Sequence, residues 1–214
     1  MAPESILFAL RLTEVKRWGI VATSREQTVA EHSYRVMMLA TAIYDHMEGG
    51  VPHNSDDRDA IITYSLMHDL HEVMSGDINS VFKRAMEAVQ PGVYQAALKG
   101  MAKHRIGPQE MLNQADRVER AVKGSVVEAV VKIADLLEAV LFIFDYGSSS
   151  QRMAQIAVSI VEDIHKHVKA CSVDHQLVRY DWARVQEFVG GVLDRGMRGG
   201  ASTDIVRQSP AAAQ

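Results

Sequence analysis

Apolar residues recur at helical spacing along nearly the whole chain, and no segment alternates apolar and polar positions as a half-buried strand would. The pattern predicts a first helix over Ser5 to Thr13, followed by an aperiodic loop from Arg17 to Gln27. Thr28-Val29-Ala30-Glu31 has the form of a capping box and opens a helix running to about His46, which Gly49, Gly50 and Pro52 end. Ser55 or Asp56 starts a third helix, through Ile61, Ile62, Leu66 and Met67, that stops near His71. A short element spans Ser80 to Ala88 before Pro91-Gly92 breaks the chain. Helices follow over Val93 to Arg105 and Gln109 to Lys123. Ser125 to Asp145 is the most apolar long segment and is read as the central helix. Gly147 to Ser150 separates it from an amphipathic helix ending near Ala170, and a last helix covers Asp181 to Arg195. From Gly196 onward Gly, Ser and Ala dominate, which predicts a disordered tail over 196–214. The expectation is an all-α fold, a single-domain helical bundle over residues 1–195.

A chain of 214 residues is long enough for one domain with a substantial core and short for two. Its net charge of −4 argues against a nucleic-acid polymer held by neutralising many phosphates, while leaving small anions open as substrates. The single cysteine, Cys171, can build neither a disulfide framework nor a thiolate zinc site. No apolar run approaches the roughly 18 residues needed to span a bilayer. Met1 to Leu10 lacks the positive start and long apolar core of a signal peptide, so a cytoplasmic protein without a membrane partner is expected. Nine histidines are present, and neutral imidazole is a common metal ligand and proton carrier.

Three pieces carry candidate chemistry. Glu31-His32-Ser33 opens one helix, His68-Asp69 closes another, and Asp135 lies inside the apolar run Val130 to Leu137. A carboxylate left buried and unpaired there would cost several kcal/mol, so it needs a cation, either a metal ion or a basic side chain. His68 and Asp69 are neighbours whose side chains diverge by about 100° on a regular helix, and they converge most easily at a helix end. Two imidazoles and two carboxylates form a mixed nitrogen and oxygen shell. That set suits one six-coordinate Mn, Co, Ni, Fe or Mg ion with open water positions better than a closed structural zinc site. Glu72 lies three and four residues beyond Asp69 and His68 and faces the same way on a helical turn.

An early His, a His-Asp doublet and a later Asp resemble the signature of the HD-domain phosphohydrolases. Lys16-Arg17-Trp18 precedes Glu31-His32-Ser33, and His68-Asp69 continues as Leu70-His71-Glu72-Val73-Met74-Ser75-Gly76-Asp77 with Lys83 six residues later. Lys132 lies three residues before Asp135. This order resembles the bacterial 5′-deoxynucleotidases and the related phage deoxynucleoside triphosphohydrolases, over Ser5 to Asp145.

The resemblance implies that His32, His68, Asp69 and Asp135 bind one divalent metal ion and that Glu72 handles the proton. It implies that Arg17, Lys83 and Lys132 hold phosphate. Trp18 would pack on the deoxyribose and exclude a 2′-hydroxyl, and Asp77 would accept a hydrogen bond from the 3′-hydroxyl. In the phage branch Ile20, two residues past the tryptophan, would press on the base. The stretch Ile78-Asn79-Ser80-Val81-Phe82 departs from the deoxynucleotidases, which carry prolines there, so base preference does not transfer. The expected substrate is a small-molecule deoxynucleotide, and self-association into a homo-oligomer is common in the family. The leading expectation is a 5′-deoxynucleotidase. Its rivals are a deoxynucleoside triphosphate triphosphohydrolase, in some cases selecting dATP, and a non-catalytic nucleotide-binding module on the same scaffold.

Overall fold

The structure, a computed structural model, describes residues 3–47, 54–103 and 109–199. Along them run α1 (Pro3–Ala9), α2 (Val29–Met47), α3 (Ser55–Met67), α4 (Glu72–Ser75), α5 (Ser80–Val89), α6 (Val93–Lys103), α7 (Gln109–Val122), α8 (Val126–Tyr146), α9 (Gln151–Val173) and α10 (Trp182–Gly199). Among the described residues there is no strand, only two isolated bridges: Lys16–Thr28 pairs the two ends of the early loop, and Thr23–Gly147 ties its middle to the end of α8. The all-α expectation holds.

Side-chain caps set several helix starts. Thr28 Oγ1 accepts from the Glu31 N–H at 3.2 Å, while the Glu31 carboxylate turns to Arg25 at 2.8 Å, so half of the capping box forms. Asn54, not Ser55 or Asp56, caps α3 by accepting from the Asp56 N–H. Ser125 accepts from Val127 and Glu128 to open α8, and Ser150 accepts from Met153 to open α9.

Three expectations need correction. The first helix is α1 followed by a 3-10 turn, Leu10–Thr13, where Thr13 Oγ1 bonds back to the Leu10 carbonyl. The third helix ends at Met67, four residues early. The chain then turns through His68–His71 with tight bonds from Leu70 N–H to the Met67 carbonyl and from Glu72 N–H to the Asp69 carbonyl. A new short helix, α4, follows and stops at Gly76, whose φ of 69° favours glycine. The last helix passes Arg195 and runs to Gly199, so residues 196–199 are helical and not tail. Gly196 explains this, because a Cβ there would sit 2.6 Å from Leu141 Cδ2 of α8 and its absence lets the two helices meet. The predicted breaks at Gly49, Gly50 and Pro52, the end at Arg105, and the tail over 200–214 lie outside the described residues.

Helix α8 is apolar on nearly every side and forms the axis of the bundle. Val130, Ile133, Leu137 and Ile143 are buried against Val36 and Ile43 of α2, Ile61 of α3, Ile164 of α9 and Val189 of α10. A second cluster joins Leu12, Val29, Leu70 and Met111. Burying Leu70 there contributes about 1.5–3 kcal/mol and anchors the turn that carries His68 and Asp69. No helix among the described residues is long and apolar enough to cross a membrane.

Candidate metal centre

The four expected ligands come from three directions and meet. His32 lies in the first turn of α2, His68 and Asp69 in the turn after α3, and Asp135 midway along α8. His32 Nε2 stands 3.3 Å from Asp135 Oδ1 and 3.6 Å from Asp69 Oδ2, and His68 Nε2 stands 3.3 Å from Asp69 Oδ2. Ligands about 2.1 Å from a shared ion are spaced in this way. The ligand atoms of His32, His68 and Asp135 all fall within 4.8 Å of one another, as do those of Asp69, His71 and Glu72.

The other ring nitrogens fix the tautomers. His32 Nδ1 lies 2.6 Å from Glu138 Oε2 and His68 Nδ1 lies 2.7 Å from the Ser65 carbonyl. Both partners only accept, so each Nδ1 carries a hydrogen and each Nε2 is turned toward the common focus. Both Nε2 atoms are buried without a hydrogen-bond partner, a costly arrangement that a cation at their focus resolves. Two imidazole nitrogens and two carboxylates converging in this way fit a divalent cation.

The electrostatics agree. Burial pushes the Asp135 carboxyl up, but Lys132 and His32 outweigh it and hold the group well below the usual carboxylate range. Burial and Arg17 press the His32 imidazole down, yet Asp135 and Glu138 raise it overall, so the pocket favours positive charge at this ring. Glu72 behaves oppositely. Burial and the Asp69 carboxylate push it to about 8, against the pull of Lys83. Lys83 Nζ donates to Glu72 Oε1 at 3.0 Å, and Glu72 Oε2 is buried without a partner.

The remaining expected residues divide into two groups. Lys132 Nζ reaches Asp135 Oδ2 at 2.8 Å, one helical turn away as expected. Arg17 lies over the Trp18 ring at 5.5 Å and also reaches Glu138 Oε2 at 3.2 Å. Trp18 and Asp77 meet, the Trp18 N–H donating to Asp77 Oδ2 at 3.3 Å. Ile20 is not drawn in, since its side chain is 63% exposed on the loop. His71 is placed beside the centre, its ring edge-on to Tyr94 and its Nε2 without a partner. A cavity of about 650 Å³ opens on the His68, Asp69 and Asp135 side between α3, α7, α8 and α9, and Arg17, Trp18, Asp77 and Lys83 stand outside its walls.

Sequence reasoning missed Glu138. This carboxylate is fully buried and receives His32 Nδ1, Gln27 Nε2 at 2.7 Å, Arg35 Nε at 3.0 Å and Arg17. Its signal was present, because Glu138 lies one turn past Asp135 in the same apolar helix and raises the same question of compensation. Gln27 and Arg35 carried no such signal.

The helical architecture matches the HD-domain phosphohydrolases. The fold superimposes on a cyanophage S-2L HD phosphohydrolase bound to deoxyadenosine and one catalytic zinc ion, with a TM-score of 0.67 at 19% identity over 88% of this chain and 96% of that one. It also superimposes on an HD-domain phosphohydrolase from Listeria innocua, with a TM-score of 0.59 at 18% identity over 95% and 97%. The chain belongs to the YfbR-like 5′-deoxynucleotidase family, whose model matches residues 6–174 and so extends past the Asp145 limit of the sequence resemblance. A dATP triphosphohydrolase of Salmonella phage PMBT28 is 32% identical over 69% of this chain and 68% of its own length. Another, from Acinetobacter phage SH-Ab 15497, is 28% identical over 81% and 84%. The protein is an HD-type phosphohydrolase of deoxynucleotides.

Proposed function

We propose that this protein hydrolyses the ester bond between the α-phosphorus and the 5′-oxygen of a 2′-deoxynucleotide, releasing the deoxynucleoside. The observation that carries the site assignment is the pair of buried, partnerless Nε2 atoms of His32 and His68 facing Asp69 and Asp135. Those four residues would hold one divalent cation, and Mn, Co, Ni, Fe, Mg and the zinc of the cyanophage neighbour all suit such a set. When bound, such an ion polarises phosphoryl oxygen and lowers the pKa of water.

The chain's own groups do the rest. Arg17, Lys83 and Lys132 offset the charge that grows on the phosphoryl oxygens. Glu72 manages the proton: Lys83 occupies Oε1, and Oε2 is left to take a proton from the attacking water and return it to the leaving 5′-oxygen. Burial raises this carboxyl above the usual carboxylate range, the direction that brings it toward proton exchange near neutral pH. Trp18 packs on the sugar where a 2′-hydroxyl would stand. Asp77 Oδ2 is engaged by the Trp18 N–H, so Oδ1 accepts the 3′-hydroxyl.

The length of the phosphate chain separates two readings of the same bond cleavage. Family membership supports the 5′-monophosphate, and the two phage relatives support the triphosphate. Product analysis with several divalent cations decides it. Inorganic phosphate from dAMP supports the nucleotidase, and triphosphate from dATP supports the triphosphohydrolase. No release from any deoxynucleotide overturns both.

A further inference from the structure

We infer that Gln27 and Glu138 are positioning residues that tie the sugar-facing indole of Trp18 to the metal-ligating imidazole of His32. This rests on the reading that Trp18 selects a deoxyribose beside the cation. Three hydrogen bonds run in series. Trp18 Nε1–H donates to Gln27 Oε1 at 2.8 Å, Gln27 Nε2–H donates to Glu138 Oε1 at 2.7 Å, and His32 Nδ1–H donates to Glu138 Oε2 at 2.6 Å. An indole only donates and a carboxylate only accepts, so just one orientation of the Gln27 amide satisfies both ends. Gln27, Glu138 and His32 are all 0% exposed, so no water competes for these bonds.

The arrangement has a local cost that it offsets. Trp18 adopts φ 66°, sparsely populated by any residue except glycine. Its ring stacks on Phe142 of α8 with centroids 5.7 Å apart and planes 6° from parallel, which sets the tilt of the indole but leaves it free to slide. The bond to Gln27 removes that freedom. Arg17 and Arg35 supply the positive charge that a fully buried Glu138 requires. One carboxylate therefore orients a metal ligand, a candidate phosphate-binding arginine and, through Gln27, the residue expected to exclude a 2′-hydroxyl. Sugar selection and cation binding share one rigid reference point on α8.

The chain has two tryptophans, and Trp182 Nε1–H donates to the Leu177 carbonyl at 2.9 Å, which makes it an internal control. In full-length protein labelled with 15N-tryptophan, zinc titration should move the Trp18 indole resonance and leave that of Trp182 in place. Gln27→Met, close in shape but without polar atoms, should still bind zinc while its Trp18 resonance no longer responds. Its preference for dAMP over AMP in kcat/KM should fall about tenfold. Trp18→Phe keeps the stack and removes the donor, so it should lose the same preference, and the double variant should lose no more than either single one. An unchanged zinc response together with an unchanged sugar preference in a folded Gln27→Met overturns the inference, as do additive losses in the double variant. Should Gln27→Met not fold, Trp18→Phe with full wild-type sugar preference overturns it. A wild-type protein that treats deoxy- and ribonucleotide alike, both as dAMP against AMP and as dATP against ATP, refutes the deoxyribose reading instead, and the resonance response still decides the coupling.

Discussion

The metal face and the Arg17–Gln27 loop lie side by side and are built on different principles. The candidate metal face is held by two packed helices, α2 and α8, and by the tight turn after α3 that buried Leu70 anchors. His32 and Glu138 are fully buried on α2 and α8, and each imidazole has its Nδ1 engaged by an acceptor. The loop has no helix, is pinned by one bridge across its ends and one at its middle, carries a tryptophan at positive φ and leaves Ile20 63% exposed. Side chains on packed helices are held to a few tenths of an ångström, as convergent ligands require, whereas a loop tolerates change and so can carry selectivity. On the proposed function, chemistry and choice of substrate are divided between a rigid half and an adaptable one, joined at Glu138.

If that division is correct, the largest effect comes from the rigid half. Asp69→Ala removes the carboxylate that lies within 3.6 Å of both Nε2 atoms and should take turnover below detection. The fold should survive, because the turn is anchored by Leu70 and not by Asp69. Circular dichroism and a thermal melt check the second half of the claim. Metal-dependent turnover retained by this variant would sink the ligand assignment. Glu138→Gln tests the junction: it keeps an acceptor for His32 but loses the charge, so affinity for the cation should drop about 10- to 100-fold. Competition against a chromophoric chelator measures that drop, and an unchanged affinity would detach Glu138 from the metal face.

The same division explains what could be read from the sequence. Long helices announce themselves because apolar spacing persists over five or six turns, and α8 does so most clearly. The break at Met67 does not, since it depends on Leu70 reaching Leu12, Val29 and Met111, which are remote in the chain. The run of α10 to Gly199 likewise depends on Leu141 lying where a side chain on Gly196 would be. At the site, the convergence of the four candidate ligands was legible because their residue types are chemically unusual in their settings. Gln27 and Arg35 were not, because a glutamine in a loop and an arginine on a helix become significant only once a buried carboxylate is opposite them.

Effects on the adaptable half should be smaller and confined to selectivity. Trp18→Ala removes the ring that stacks on Phe142 and should cut the preference for dAMP over AMP about tenfold or more, with cation affinity changed far less. Equal losses in both quantities would mean that the loop is part of the metal face and that the division is false.

Ile20→Ala gives the finest cut. A side chain this exposed contributes little to folding, so stability should stay within about 0.5 kcal/mol of wild type. If its methyl groups close over a base, as in the phage branch of the resemblance, removing them alters the ranking of the four deoxynucleotides by about 1 kcal/mol, roughly fivefold in kcat/KM. The sugar preference should be untouched, because Trp18 is held from Gln27 and Phe142 and not from Ile20. Measuring kcat/KM for all four bases in wild type and variant resolves the loop into its parts. A changed base ranking with a constant sugar preference assigns base and sugar to separate residues. An identical ranking removes Ile20 from recognition and leaves selectivity to the tryptophan that the buried network holds.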